Sequence, residues 1–146
     1  MKYLSILFLF CCANSALAVE SLIFVCDRTE TNYTETYELK VSPASKTQKA
    51  KVYLDGRDLD RSDDLGQQVI KNVVVTESTV LISIEAYFAP ESFDGIQYGA
   101  GTVKTVISIN RSSGQLRKAE TIKGGILSAK LGEGTKTHQE QCTAAK

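Results

Sequence analysis

Apolar and polar residues alternate with a period of two along most of this chain. In the segment STVLISIEAYF, residues 78–88, one face carries Val80, Ile82, Ile84, Ala86 and Phe88, and the other carries Leu81, Ser83, Glu85 and Tyr87. Such alternation predicts a β-strand, because successive side chains of a strand point to opposite faces. The segments SLIFVCD, YTETYELKV, AKVYL, VIKNVVV and GTVKTVISIN are also rich in β-branched and aromatic residues. Helical spacing is hard to find, so we predict an all-β protein.

Residues that favour turns separate these segments. Pro43 follows the segment YTETYELKV, and an acidic stretch follows Leu54. The glycine-rich stretch 89–101 follows the segment that ends at Phe88 and leads into GTVKTVISIN. Gly114 and the pair Gly124-Gly125 mark further turns. The order predicts an antiparallel meander of about seven or eight strands. Since most strands have one apolar face, we expect a small barrel or a strongly twisted, nearly closed sheet.

The alternation has one exception and one sharp break. Within YTETYELKV, Tyr33, Tyr37, Leu39 and Val41 share a face that Glu35 interrupts. The break is NRSSG, residues 110–114, which predicts a hairpin turn with Gly114 at the position that needs a positive φ angle. A functional role for Arg111 at the tip of this hairpin is the alternative interpretation.

The first eighteen residues read as a secretory signal peptide. The apolar run 4–13 is shorter than the roughly 20 residues that span a bilayer, and Ala16 and Ala18 fit the small-x-small cleavage pattern. We therefore predict cleavage after Ala18, a single domain over residues 19–146, and a periplasmic or secreted location. An uncleaved anchor is the competing interpretation. Cys11 and Cys12 lack the small preceding residues that lipid attachment requires.

The charge of the mature chain is close to neutral. Loss of Lys2 with the signal peptide leaves 16 of the 17 basic residues, against 17 acidic ones. Binding to nucleic acid or to an anionic membrane surface depends on concentrated positive charge. We therefore expect no nucleic-acid partner, and no later segment is apolar enough to span a membrane.

Two cysteines remain after cleavage, Cys26 near the new N-terminus and Cys142 near the C-terminus. In an oxidising compartment this pair predicts one disulfide that ties the two ends of the domain together. The first and last strands would then lie side by side, because the Cα atoms of a disulfide are about 4.4 to 6.8 Å apart. A reactive thiol pair is the alternative, but no Cys-x-x-Cys spacing supports it.

The acidic stretch DGRDLDRSDDLG resembles a calcium-binding loop only in part. Asp58, Asp60 and Ser62 match the first, third and fifth positions, but Asp63 stands where glycine is needed and Val69 where a bidentate glutamate belongs. We interpret it as a solvated loop, with a cation site as the open alternative, and we expect no metal and no cofactor.

The chain lacks the usual catalytic constellations. His138 is its one histidine, and neither a zinc-binding histidine pair nor a Gly-x-Ser-x-Gly elbow is present. We therefore predict no catalytic residues and a protein that is not an enzyme. Asn32 and Asn110 begin glycosylation sequons, which would matter only in a eukaryotic secretory pathway.

Two resemblances follow from these motifs. The early FVCD, the late QC and the intervening ISINRSSGQL resemble small bacterial periplasmic β-proteins of unknown function that pair an early and a late cysteine and carry an Ile-x-Ile-Asp-Arg-x-Thr-Gly-type hairpin. That resemblance covers most of the mature chain. The segment DGIQYGAG is similar to the Ser-Gly-x-x-Tyr loop of periplasmic c-type lysozyme inhibitors, which are eight-stranded antiparallel barrels with a disulfide.

The second resemblance implies a binding loop over residues 91–101. Gly95 and Tyr98 match the inhibitor motif, Asp94 replaces its serine, and Lys104 stands for the basic residue that follows. A carboxylate facing the two acidic groups of a lysozyme cleft would be repelled. Our main hypothesis is therefore a non-catalytic binding domain whose ligand is undetermined, with Phe93 and Tyr98 exposed on this loop. Lysozyme inhibition through the loop is the alternative.

Overall fold

The computed structural model describes residues 20–145, and strands dominate it. The prediction of an all-β fold is confirmed. The predicted signal peptide, residues 1–18, lies outside the described residues. The strands are β1 (Leu22–Glu30), β2 (Tyr33–Ser42), β3 (Lys51–Leu54), β4 (Arg57–Asp58), β5 (Arg61–Asp63), β6 (Gly66–Val75), β7 (Thr79–Phe88), β8 (Glu91–Phe93), β9 (Ile96–Tyr98), β10 (Gly101–Asn110), β11 (Gln115–Gly124) and β12 (Gly134–Ala144), and a helix, α1 (Gly125–Leu131), precedes β12.

Ten of the strands form one antiparallel sheet in the order β4-β3-β2-β1-β12-β11-β10-β7-β6-β5. The first long strand and the last therefore pair in the middle of the sheet. The two edge strands, β4 and β5, are joined through Leu59 and Asp60 alone. The sheet consequently curls into a nearly closed barrel, which confirms the predicted architecture.

The number of strands exceeds the seven or eight that the sequence predicts. The acidic stretch, expected to be one loop, holds β4 and β5, and the stretch 89–101 holds a separate hairpin of β8 and β9. The β3–β4 and β8–β9 hairpins each turn at an Asp-Gly pair with positive φ, 48° and 75° at Asp55 and Gly56 and 50° and 75° at Asp94 and Gly95. This is the geometry of a type I′ turn. Strands of two or three residues are too short to show a period of two.

Residues 59–60 form the seam of the barrel, where the sheet closes although the edge strands β4 and β5 do not pair with each other. The Leu59 amide donates to the Val52 carbonyl of β3 at 2.9 Å, and the Gln68 side-chain amide of β6 donates to the Leu59 carbonyl at 2.8 Å. The Asp60 carboxylate accepts a hydrogen bond from the Ile70 amide at 2.6 Å. Residues 59–60 thus take the place of a strand between β3 and β6.

The apolar core fills the end of the barrel where β1 begins and β10 ends. Its fully buried members come from strands all around the sheet, and the largest are Leu39, Ile82, Ile109, Leu116, Val41, Val52 and Val80. Among them, Leu39 and Val41 of β2 and Val80 and Ile82 of β7 lie on the apolar faces that the period of two predicts. Packing of these side chains across the barrel stabilises the closed sheet.

The predicted disulfide between Cys26 and Cys142 is confirmed. The two residues lie opposite each other in the pairing of β1 with β12, with an Sγ–Sγ distance of 2.10 Å and a Cα–Cα distance of 3.9 Å. This Cα–Cα distance is just below the range expected. Because the Cys142 amide donates to Gly114 on the other side of β12, the pair occupies a non-hydrogen-bonded position, the closer of the two antiparallel types. Both side chains are buried.

The predicted hairpin at residues 110–114 is also confirmed. The Asn110 side chain accepts hydrogen bonds from the Ser112 and Ser113 amides, both at 3.0 Å, and Gly114 has a φ of 73°. The Arg111 guanidinium donates to the Thr76 carbonyl at 2.6 Å, which ties this hairpin to the turn between β6 and β7.

Helix α1 is a further element that the sequence does not predict. Gly124 and Gly125, expected to mark a turn, have φ angles of 62° and 69° and lead the chain from β11 directly into the helix. Seven residues make about two turns, too few for a helical period to stand out. Over residues 20–145, no helix combines the length and the apolar character that crossing a membrane requires.

The disulfide should contribute much of the stability of the closed barrel. Replacing both cysteines by alanine, C26A with C142A, should lower the free energy of unfolding by about 2 to 5 kcal/mol, measured by urea denaturation. Far-UV circular dichroism of the remaining folded protein should keep its strand signal. Alkylation of the unfolded wild type without reductant should modify neither thiol, and labelling of both would contradict the bridge.

Gly114 should tolerate a side chain less well than Gly56 does, although the φ angles are 73° and 75°. A Cβ atom at Gly114 would lie 1.9 Å from the Cys142 carbonyl oxygen, whereas none of the described atoms lies within 4 Å of one at Gly56. Gly56→Ala should cost about 1 kcal/mol through backbone strain, and Gly114→Ala should cost a further 1 to 3 kcal/mol or so through overpacking. Equal losses in urea denaturation would mean that the strand carrying Cys142 does not pack on Gly114.

Candidate functional site

The interior of the barrel changes character from one end to the other. Along β1, Phe24 and Cys26 belong to the apolar core, and the next inward residue, Arg28, lines a cavity. Along β12, Cys142 is followed in the same way by Glu140. The cavity has a volume of about 280 Å³, and the polar side chains that line it within the barrel include Arg28, Glu35, Tyr37, Gln68, Thr105, Lys118, Glu120 and Glu140. We call this polar end of the barrel the cup.

Strand register brings these side chains together. Tyr37 lies opposite Cys26, and Glu35 lies opposite Arg28, so the polar region begins immediately beyond the disulfide. On the other side of the barrel, Thr105 lies opposite Glu120. Directly opposite residues on one face of an antiparallel pair have Cβ atoms about 5 Å apart, so their side chains line one space.

Glu140 lies at the floor of the cup. It is the one charged residue classed as buried among the described residues, with 7% of its surface exposed. The Tyr37 hydroxyl donates a hydrogen bond to Glu140 Oε2. Burial, followed by this bond to Glu140, raises the pKa of Tyr37 well above its usual value, so the phenol stays protonated and acts as the donor. Glu140 is therefore positioned as an acceptor.

The two basic side chains of the inner wall contact carboxylates other than Glu140. Arg28 Nη2 lies 2.6 Å from Glu30 Oε1, and this bond raises the pKa of Arg28, although desolvation opposes it. Lys118 Nζ lies 3.7 Å from Glu120 Oε1. Arg28 and Lys118 are thus each compensated by a carboxylate of the same strand, and neither contacts Glu140.

An apolar cavity adjoins the polar one beneath helix α1. Its volume is about 200 Å³, and its apolar lining includes Ala86, Phe88, Val103 and Ile122 of the sheet and Leu127 and Leu131 of α1. It shares Gln68, Ile84, Thr105 and Glu120 with the polar cavity. The two cavities therefore adjoin along these four residues, and the cup comprises a polar half and an apolar half. Together they exceed the lower limit of about 300 Å³ that is typical of small-molecule sites.

Helix α1 is fixed over the apolar half of the cup at its N-terminal end. A Cβ atom on Gly125 would lie 2.9 Å from Gly101 Cα, so the chain approaches β10 as closely as glycine allows. The Gly124 amide also donates to Glu133 Oε1 at 3.0 Å, across the base of the helix. These contacts hold Leu127 and Leu131 over the opening.

Four of the five residues predicted for a binding loop lie together on the β8–β9 hairpin, namely Phe93, Asp94, Gly95 and Tyr98. The hairpin presents apolar surface to solvent, since Phe93 is 45% and Ile96 is 56% exposed. Lys130 Nζ lies 4.0 Å from the centroid of the Phe93 ring, which links the hairpin to α1 by a cation–π contact.

The fifth predicted residue, Lys104, projects from the outer face of β10. Its Nζ lies 3.1 Å from Glu85 Oε1 on β7, and this contact lowers the pKa of Glu85. Glu85 also lies 3.6 Å from Lys71 Nζ. Lys104 therefore takes part in an ion-pair network on the surface of the sheet.

The carboxylates of the acidic stretch bond to protein groups. Asp58 Oδ2 lies 2.6 Å from Lys51 Nζ, which lowers the pKa of Asp58, and Asp63 Oδ1 accepts a hydrogen bond from the Leu65 amide at 2.9 Å. Between residues 20 and 145, no group of three or more His, Cys, Asp and Glu side chains is arranged to hold a metal ion. His138 lies on β12, exposed and opposite Lys118.

The sequence analysis does not identify the residues inside the cup as site residues. Arg28, Tyr37 and Glu140 stand at ordinary positions of strands whose partners are distant in sequence. One signal is present, because Glu35, the exception in the alternation of β2, lies at the rim of the cup. A charged residue in an otherwise apolar row can mark the point where a barrel interior becomes polar.

Comparison of the chain with protein-family models, with curated proteins and with solved structures finds no match. The two resemblances drawn from the sequence stay predictions. The geometry of the cup and of the β8–β9 hairpin is therefore the basis for a functional proposal.

Proposed function

We propose that this protein is a non-catalytic binding domain that takes a small amphipathic ligand into the cup. The single observation that carries the proposal is the pair of adjoining cavities at one end of the barrel, one lined by charged and polar groups and the other by apolar side chains. An amphipathic molecule matches this division, since its apolar part can lie beneath α1 while its polar part faces the ion pairs.

The energetics of the site favour binding. When apolar surface of a ligand is buried beneath Leu127 and Leu131, its removal from water contributes about 25 cal/mol per Å² to the free energy of binding. The polar half supplies orientation through groups that the sheet already holds in place. The Tyr37 hydroxyl is bonded to Glu140, and the pKa of Tyr37 is raised. This supports a binding role rather than a role for Tyr37 as a base or nucleophile.

A periplasmic or secreted location is part of the proposal. The disulfide between Cys26 and Cys142 supports it, because such bridges form and persist mainly in oxidising compartments. The signal peptide predicted from the sequence leads to the same compartment.

A neutral fluorescent probe tests the cup directly. N-phenyl-1-naphthylamine should gain fluorescence with the wild-type protein, because it would leave water for the apolar half. Thr105→Trp should abolish the gain by filling the space that the two cavities share, whereas Val106→Trp, on the outer face of the same strand, should not. Absence of a gain with wild-type protein, or equal effects of the two variants, would contradict the proposal.

Inhibition of a c-type lysozyme through the β8–β9 hairpin is a second candidate function. The observation in its favour is the tight Asp94-Gly95 turn, which presents the exposed side chains of Phe93 and Ile96 at one end of the barrel. Exposed aromatic residues on a rigid element are frequent anchors of protein interfaces.

A lysis assay tests this candidate. Micromolar protein should slow hen-type lysozyme, and Phe93→Ala should weaken the inhibition about tenfold or more through loss of an anchor residue. Tyr33→Ala is the matched control, because Tyr33 is 59% exposed on β2. Asp94→Ser should strengthen inhibition by removing a charge that the acidic cleft repels. Unchanged lysis at micromolar protein would exclude this function.

A further inference from the structure

We propose that the polar group of the ligand is a cation, a protonated amine that binds Glu140 at the floor of the cup. This inference rests on the proposed function, since it names the chemistry of the ligand for the same site. Three observations support it. They are the unbonded oxygen of Glu140, the absence of a lysine or arginine in contact with Glu140 within the described residues, and the excess of carboxylates over cations in the lining of the cavity.

The first observation concerns the two oxygens of Glu140. Oε2 accepts the Tyr37 hydroxyl, while Oε1 has no hydrogen-bond partner among the described residues. Every deeply buried side-chain polar atom of those residues has a partner, so Oε1 keeps some accessible surface, and the Glu140 side chain lines the cavity. The carboxylate therefore offers an acceptor to whatever enters the cup.

The second observation is that this buried carboxylate has no protein cation in contact with it. Within residues 20–145, no lysine or arginine nitrogen lies within 4.0 Å of Glu140. Arg28 is bonded to Glu30 and Lys118 lies near Glu120. Buried charges in proteins are normally paired, because removing a carboxylate from water is costly. Arg28 interacts with Glu140 electrostatically but does not contact it, so a ligand ammonium would supply the direct partner that the carboxylate lacks.

The third observation is the overall charge of the lining. The cavity wall holds the cations Arg28, Arg57 and Lys118 against four carboxylates, those of Glu35, Asp55, Glu120 and Glu140. An anionic head group would meet this excess of negative charge and would also compete with carboxylates for Arg28 and Lys118, which are already paired. A cationic head with a short apolar tail, placed beneath Leu127 and Leu131, satisfies both halves of the opening.

Three compounds with the same eight-carbon tail separate the head groups. Isothermal titration of the wild-type protein at pH 7 with octylammonium, octanoate and octyl glucoside compares a cation, an anion and a neutral polar head. Octylammonium should bind about tenfold or more tighter than octanoate, the fold-change of one close charge contact. Octanoate binding as tightly as octylammonium, or tighter, would overturn the cationic assignment.

Variants of Glu140 locate the contact. Glu140→Gln keeps the shape of the side chain and removes its charge, so the affinity for octylammonium relative to octyl glucoside should fall about tenfold or more. Glu38→Gln, an outward-facing glutamate on β2, is the matched control and should leave this ratio unchanged. Tyr37→Phe keeps the charge and frees Oε2, so the preference for octylammonium should persist even if Glu140→Gln does not fold. Loss of that preference in Tyr37→Phe, or an unchanged ratio in a folded Glu140→Gln protein, would contradict the assignment.

The experiments distinguish failure of the proposed function from failure of the cationic assignment. If N-phenyl-1-naphthylamine binds in the cup but the octyl compounds show no preference for the cation, the cationic assignment is wrong while the cup remains a binding site. If neither the naphthylamine nor any octyl compound binds, both the proposed function and this inference are wrong.

Discussion

The pairing of β1 with β12 joins the two halves of the barrel, and the Cys26–Cys142 bridge lies within that pairing. Without it, the strands β4 to β1 and the strands β12 to β5 would be joined only through residues 59–60. Neither part alone surrounds an interior. The Gly114 carbonyl, which binds the Cys142 amide, fixes the same residue against β11. Burial of the core and formation of the cup therefore depend on the contact between β1 and β12, together with the closure at residues 59–60.

The same inward row of side chains serves both the core and the cup. From Cys142 to Glu140 the row passes from a buried disulfide to a buried carboxylate within two residues. Polar groups inside a barrel are costly unless they are paired, and here Tyr37, Glu30 and Glu120 supply partners. The tightly packed apolar end offsets this cost. Stability and binding are thus divided between the two ends of one sheet.

Much of the fold follows from local patterns in the sequence, and most of the site does not. The period of two identifies the inward residues of β2 and β7, and cysteine chemistry identifies the bridge. The short strands β4, β5, β8 and β9 and the two-turn helix α1 are shorter than the periods that would reveal them. The seam at Asp60 and the contact of Tyr37 with Glu140 join residues distant in sequence, so local patterns cannot show them. Of the candidate residues, the hairpin from Phe93 to Tyr98 is grouped by its turn signal, whereas Arg28 and Glu140 come together only when the barrel closes.

The ligand site that we propose is the cup, which lies inside the barrel and not on its surface. Amide chemical shifts followed by NMR during titration with N-phenyl-1-naphthylamine test it most directly, because they report which residues the probe approaches. We expect the largest changes at Tyr37, Thr105, Glu120, Leu127 and Glu140. Changes confined to the β8–β9 hairpin or to the outer face around Glu85 and Lys104 would contradict it.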